Sequence, residues 1–356
     1  MKKIWISMIL LAACVVPCHG AEPMEVPGLD ELWEQTESYG VEEGADLEQG
    51  MGNLLTDAAE QLGELGKSSL AVGLKLLAVV LLCSLAEGAA GQEKREGLQA
   101  VELAGALAIT ALTMTDMAAM IGLGRETIGK MEVFSQSILP VMAVLTAATG
   151  SVTGAAVRQG AAGLFSQLLI MVLDKLIIPL VYGYVAVSWA YAAVDNPGLG
   201  KLAGVLKGIA AFLLTALLVV FVGYLTATGA VAGSVDASAI KAAKLAISRA
   251  IPVVGGVLAD ASETVLAGAG ALKGTVGVAG MLVVLAICLS PFLQLGLQYL
   301  VYKGAAVLCA TVAQPRLSRL INAIGGAFGI VLGMTGASAL VLLVSIVSAL
   351  TAAVPG

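Results

Sequence analysis

Apolar residues along this chain run unbroken rather than alternating with polar ones. Gly208 to Val235 holds no Asp, Glu, Lys or Arg, nor does Gly274 to Tyr302, nor the tail from Leu320 to Gly356. A bilayer core about 30 Å thick is crossed by roughly 20 apolar residues in a helix. Several such runs in one chain predict an all-α, polytopic transmembrane bundle, and the lack of alternation excludes a membrane barrel. About seven spans are expected, within a range of six to eight.

The predicted spans are Ser68 to Ala86, Leu98 to Leu123, Val133 to Thr149 with Pro140 inside it, Gly208 to Thr228, Val276 to Val301 with Pro291 as a kink, and Ile321 to Ala353. Between the third and the Gly208 span lie two apolar pieces, Gly160 to Val172 and Leu176 to Val194, separated by Asp174-Lys175. These form either a span plus a re-entrant half or one bent long helix. Asp195-Asn196-Pro197-Gly198 predicts a turn. Asp236 to Ala250, with Lys241, Lys244 and Arg249 among apolar residues, predicts an interfacial helix meeting anionic headgroups. Ile251 to Gly274 is apolar and Gly-rich but carries Asp260 and Glu263. Two acids do not face lipid, so a re-entrant or cavity-lining hairpin is expected there.

The N-terminus reads differently. Met1-Lys2-Lys3 precedes a short apolar run, Ile4 to Val16, and Cys18-His19-Gly20 offers a cleavage site. Residues 1–20 therefore predict a secretory signal peptide. An uncleaved anchor is the alternative, and Leu11-Ala12-Ala13-Cys14 has lipobox residue types. Residues 21–66 carry 13 of the 25 acids and no Lys or Arg, which predicts an exported acidic arm. Leu29, Leu32 and Trp33 make one weak apolar helical face within it. Residues 67–356 form the polytopic membrane domain. From Val133 onward 11 basic residues face five acids, so the net charge of -6 belongs to the arm.

Orientation follows from these counts. With the arm exported, Lys94 and Arg95 fall in the cytoplasm after one span. The loop at Lys303, Arg316 and Arg319 then falls outside unless Ile251 to Gly274 crosses fully. The basic side chains favour a crossing and the acids oppose it.

Candidate chemistry is sparse. The only His is His19, inside the signal segment, which removes imidazole catalysis and His-metal sites from a cleaved chain. Cys83, Cys288 and Cys309 sit in apolar stretches without C-x-x-C spacing. There is no Walker loop and no H-E-x-x-H, so an enzyme and a bound cofactor are not expected, and nothing points to nucleic acid. What remains is charge within the bilayer: Lys75, Glu102, Asp116, Asp174 and Lys175. Each is costly when unpaired at mid-bilayer and must face protein, water or the interface. Asp116 has apolar or small neighbours on both sides and is the first candidate for a residue lining a path. Asp174-Lys175 reads as an interfacial break.

Two strings carry a resemblance: SILPVMAVLTAATGSVTGAA, Ser137 to Ala156, and AIPVVGGVLADASETVLAGAGALKGTVGVAG, Ala250 to Gly280. The second contains a proline, paired valines, glycines, and Asp260, Glu263, Thr264 and Val265. Together they resemble the stage III sporulation protein AE family of endospore formers. The resemblance implies a non-enzymatic membrane subunit of the channel linking mother cell and forespore. It implies residence in the mother-cell membrane around the forespore, with a secretion-type ATPase and ring-forming proteins as partners. The family has no established catalytic residues, so none is carried over. The alternative is a stand-alone secondary transporter with Asp116 and the Ile251–Gly274 hairpin at its site.

Overall fold

The structure, a computed structural model, describes residues 28–41, 47–90, 95–148, 163–227, 274–312 and 315–352. Seven helices and no strand occur among these residues. They are α1 (Leu29–Ser38), α2 (Leu47–Ala90), α3 (Arg95–Ala148), α4 (Gly163–Val194), α5 (Pro197–Ala227), α6 (Thr275–Val312) and α7 (Pro315–Ala352). Six of them, α2 to α7, are long and apolar enough to cross a membrane. The signal segment, the Asp236–Ala250 helix and the Ile251–Gly274 hairpin, save its last residue Gly274, lie outside the described residues.

α7 is the axis of the bundle. Its best spanning window is 94% buried, against 22–44% for the other five. The sequence explains this: after Arg319 the helix carries no charge, and Ala, Gly and Ser recur among its large residues. Small residues let helices approach closely where lipid supplies no water-driven force between them. The outer helices turn their large apolar side chains outward, among them Leu74, Leu82, Leu85, Phe212 and Val307. Those faces suit lipid.

The spacing of charge along three helices marks a bilayer-thick slab. Lys67 and Glu87 on α2, Glu102 and Arg125 on α3, and Asp174 and Asp195 on α4 each bracket about 20–23 residues, roughly 30–35 Å of helix. Lys75, Asp116 and Lys175 are the charges inside these brackets, Lys175 directly beside the Asp174 edge. Beyond Arg125 a second core begins. Met131, Phe134, Ile138 and Met142 form one buried stripe of α3 at helical spacing, against Leu282, Val283 and Val284 of α6 and Leu342 and Ile346 of α7. α1 lays Leu32 into this core, with Leu29 and Trp33 packed beside it, as the apolar face of the arm predicts.

Three sequence readings are corrected. The second and third predicted spans are one continuous helix of 54 residues, α3, running through the charged 125–132 stretch and through Pro140. Hydropathy registers the exit from the bilayer, whereas the backbone continues because the second core packs its apolar stripe. Asp174-Lys175 does not break the chain: Leu173–Ile177 is a π-turn inside the continuous α4, which is the bent-long-helix alternative. Finally, because two spans are one, the helix ends regroup. Ser84 Oγ donates to Val312 O at 3.0 Å, Glu102 pairs with Arg316, and Arg319 lies 3.8 Å from Asp195. Arg316 and Arg319 therefore lie at the same end as the Arg95 start of α3, and α5 ends and α6 begins at the opposite end.

The α4–α5 turn is built by its own residues. Asp195 takes the left-handed conformation, φ 52°, that terminates α4. Asn196 caps α5, its Oδ1 accepting Gly198 N–H at 2.8 Å, with Pro197 at the first helical position.

Candidate functional site

A polar cluster forms where α3, α4 and α7 meet at this basic end. Arg316, in the first turn of α7, donates from Nε to Ala192 O and from Nη2 to Ala193 O. Its Nη1 lies 3.3 Å from Glu102 Oε2, and the two side chains are only 12% and 18% exposed. The last carbonyls of a helix lack intrahelical partners and carry the negative end of its dipole. One guanidinium thus closes the end of α4 and neutralises a carboxylate on α3, joining three helices.

Around this staple stand more cations. Arg319 lies over the Tyr191 ring, 5.4 Å from its centroid. Lys303 Nζ donates to Asn322 Oδ1 at 2.6 Å. Between α4, α5 and α7 opens a cavity of about 200 Å³ whose charged lining is Lys207, Arg316 and Arg319. A second cavity, about 400 Å³, lies between α3 and α4 near Glu132, Gln136 and Gln167.

Asp116 is a different case. Tyr302 O–H on α6 donates to Asp116 Oδ2 at 3.0 Å, and the fully buried Tyr302 ring stands edge-on to Phe328, centroids 4.9 Å apart. The mid-bilayer acid therefore couples α3 to α6 and, through Phe328, to α7. Tyr302→Phe removes the donor and leaves a partly buried carboxylate unsatisfied, at about 1–3 kcal/mol. The expected result is a lower unfolding midpoint in detergent that Asp116→Ala does not lower further in the Phe background.

The remaining candidates scatter. Asp174 pairs with Arg125 at 2.7 Å, with 34% and 65% of the side chains exposed, at the far edge of the slab. Lys175 and Lys75 are exposed on the outer surfaces of α4 and α2, without an ion pair among the described residues. A long aliphatic stem lets such a lysine reach the interface. Lys241, Lys244, Arg249, Asp260 and Glu263 lie outside the described residues. Sequence reasoning named Glu102 and Asp116 but not their partners, Arg316 and Tyr302, which are 214 and 186 residues away. Arg316 left one trace: it and Arg319 are the last charges before the uncharged tail.

A family model described as stage III sporulation protein AE matches residues 45–353. The match starts just before Leu47, where α2 begins, and covers all six long helices. A curated relative named stage III sporulation protein AE, from Bacillus subtilis (strain 168), is 25% identical over 197 residues. That alignment takes in 55% of this chain and 49% of the relative, so the chain spans about half the length of the relative it matches. No solved structure matches. With a family match over most of its length and a helical bundle of spanning length beneath it, this chain is a sporulation-related membrane protein and belongs to the stage III sporulation protein AE family.

Proposed function

We propose that this chain is a non-enzymatic, multi-pass subunit of the channel or secretion complex that connects mother cell and forespore. It resides in the mother-cell membrane surrounding the forespore. The observation that carries the reading is the family match across all six long helices. Its partners are other membrane proteins of the complex, a secretion-type ATPase and ring-forming subunits. The architecture supports a scaffold role: α7 fills the axis of the described bundle, and Glu102 and Asp116 are each committed to a side chain on another helix. Such pairing fixes helices rather than presenting a nucleophile to a base. The basic end, with Arg95, Arg316 and Arg319, faces the mother-cell cytoplasm, and the acidic arm of residues 21–66 faces the exported side.

The test is complementation of a deletion strain, scoring spore yield and membrane level together, with affinity capture from sporulating cells. Loss of spores on deletion and co-capture of a sporulation ATPase are expected. Normal sporulation with loss of uptake of one solute would instead favour the stand-alone transporter. Asp116→Ala is expected to insert normally, because removing an acid at mid-bilayer eases insertion by roughly 2–3 kcal/mol. Spore yield should fall through the lost Tyr302 contact, and Asp116→Asn, which keeps an acceptor, should recover most of it.

A further inference from the structure

Lys207 is a cation on the buried side of its helix. It sits on the inward stripe of α5, between Ala203 and Ala210, with Leu214 and Leu218 following at helical spacing. Leu202, Val205, Ile209 and Phe212 leave the opposite face of that helix exposed. The half-buried side chain points at α4 and α7. A methyl group on Gly326 would fall 3.2 Å from Lys207 Nζ and 3.1 Å from the Tyr184 hydroxyl oxygen. Tyr184 stands midway between Asp174 and Asp195, so the ammonium lies near mid-bilayer. A charge at that depth is costly unless it is neutralised or hydrated.

The neighbours supply no negative charge. Lys207 makes no ion pair or hydrogen bond among the described residues. On the adjoining flank of α7 stands a second cation. A methyl group on Gly325 would fall 3.6 Å from Lys303 Cδ, and the Lys207 charge repels that of Lys303. Lys303 is itself held by neutral groups, Asn322 Oδ1 at 2.6 Å and the Tyr299 ring at 5.9 Å. Asp116, the acid inside the slab on α3, is engaged by Tyr302 O–H.

The cavity of about 200 Å³ between α4, α5 and α7 reaches Lys207. Its other donors are spent. Arg316 is committed to Ala192, Ala193 and Glu102, and Arg319 to Pro315 O, Asp195 and the Tyr191 ring. Tyr184 and Ser188 donate to Ala323 O and Tyr184 O. The three N–H donors of Lys207 are therefore the ones left to meet a ligand. At about 30 Å³ per water, the space suits one small ion with a few waters.

We propose that this cavity holds a small monovalent inorganic anion of chloride size on the Lys207 ammonium. The anion enters from the basic end, past Tyr191 and Arg319. It neutralises Lys207 and so lets α5 pack its charged stripe against α4 and α7. A bulky organic anion such as gluconate does not fit the space.

The experiment uses the full chain purified in neutral detergent, with chloride replacing gluconate stepwise at constant ionic strength and pH. Binding is read from the chlorine magnetic-resonance linewidth, and stability from the unfolding midpoint. Chloride is expected to broaden the resonance and to raise the midpoint saturably. Lys207→Met should weaken chloride at least about tenfold, through loss of a charge-assisted hydrogen bond. In gluconate alone the same variant should unfold at a higher midpoint than the wild type, because the unneutralised charge is gone. Lys207→Arg should keep the chloride effect, and so should Lys175→Met, which lies on the outer surface. An unchanged chloride effect in Lys207→Met would overturn the site. A wild-type midpoint indifferent to the exchange would overturn the anion, leaving water to hydrate the lysine. That wild-type result decides the matter if Lys207→Met does not fold.

Discussion

Arg316→Gln is expected to destabilise the bundle more than any other single charge removal, by about 3 kcal/mol or more. The substitution strips a partner from Glu102, which is only 18% exposed, and frees the last carbonyls of α4 at Ala192 and Ala193. Breaking a buried pair from one side costs more than the pair is worth, because the remaining charge stays desolvated. Arg125→Gln is the matched comparison. Its partnership with Asp174 is shorter, 2.7 Å against 3.3 Å, but the side chains are 65% and 34% exposed. Exposed pairs contribute about 0–1 kcal/mol, so the better-looking ion pair should matter less. Unfolding midpoints in detergent, with membrane level in cells, check both. Adding Glu102→Gln to Arg316→Gln should recover part of the loss, since the orphaned charge is then gone. A double variant as unstable as the sum of the two singles would show that Arg316 acts through the carbonyls alone.

What could be read from the sequence, and what could not, divides along physical lines. Uncharged runs located the cores of α5, α6 and α7, and a run interrupted only by Lys75 that of α2, because exclusion of charge from lipid acts residue by residue. The end of α4 was legible in Asp195-Asn196-Pro197-Gly198, since a left-handed residue, an Asn cap and a Pro at the first helical position are local chemistry. The continuity of α3 was not. Residues 125–132 look like a loop between two spans, yet they are helix because Met131, Phe134 and Ile138 pack on segments of α6 and α7 far away in sequence. The candidate site failed in the same way. Glu102 and Asp116 announced that each needed a partner, but their partners depend on which helices become neighbours. Tyr302 in particular shares its apolar run with Phe292 and Tyr299, with nothing local to mark it, rather than Tyr299, as a donor to an acid.

Close approach of α3 to α7 is the second feature expected to carry a large effect. Gly124 is buried where the two helices cross, and an added methyl group there would lie 2.3 Å from Val331 Cγ1. Val331 is 1% exposed, and a β-branched side chain in a helix has essentially one χ1 well, so it cannot swing aside. The helices must part instead. Gly124→Ala is expected to cost about 1–3 kcal/mol, with Gly124→Leu beyond that range. Gly122 and Gly129 lie on the same helix, and a methyl group added to either would meet nothing within 4 Å, so substitution there tests propensity without packing. Gly122→Ala and Gly129→Ala should be neutral or stabilising by about 0.5–1 kcal/mol. Val331→Ala removes the obstructing carbons and should restore most of the stability lost in Gly124→Ala, a recovery that neither Gly122→Ala nor Gly129→Ala would call for. If Gly124→Ala unfolds at the wild-type midpoint while its membrane level is unchanged, the helices do not meet at this crossing, and α7 is not held at the axis by α3.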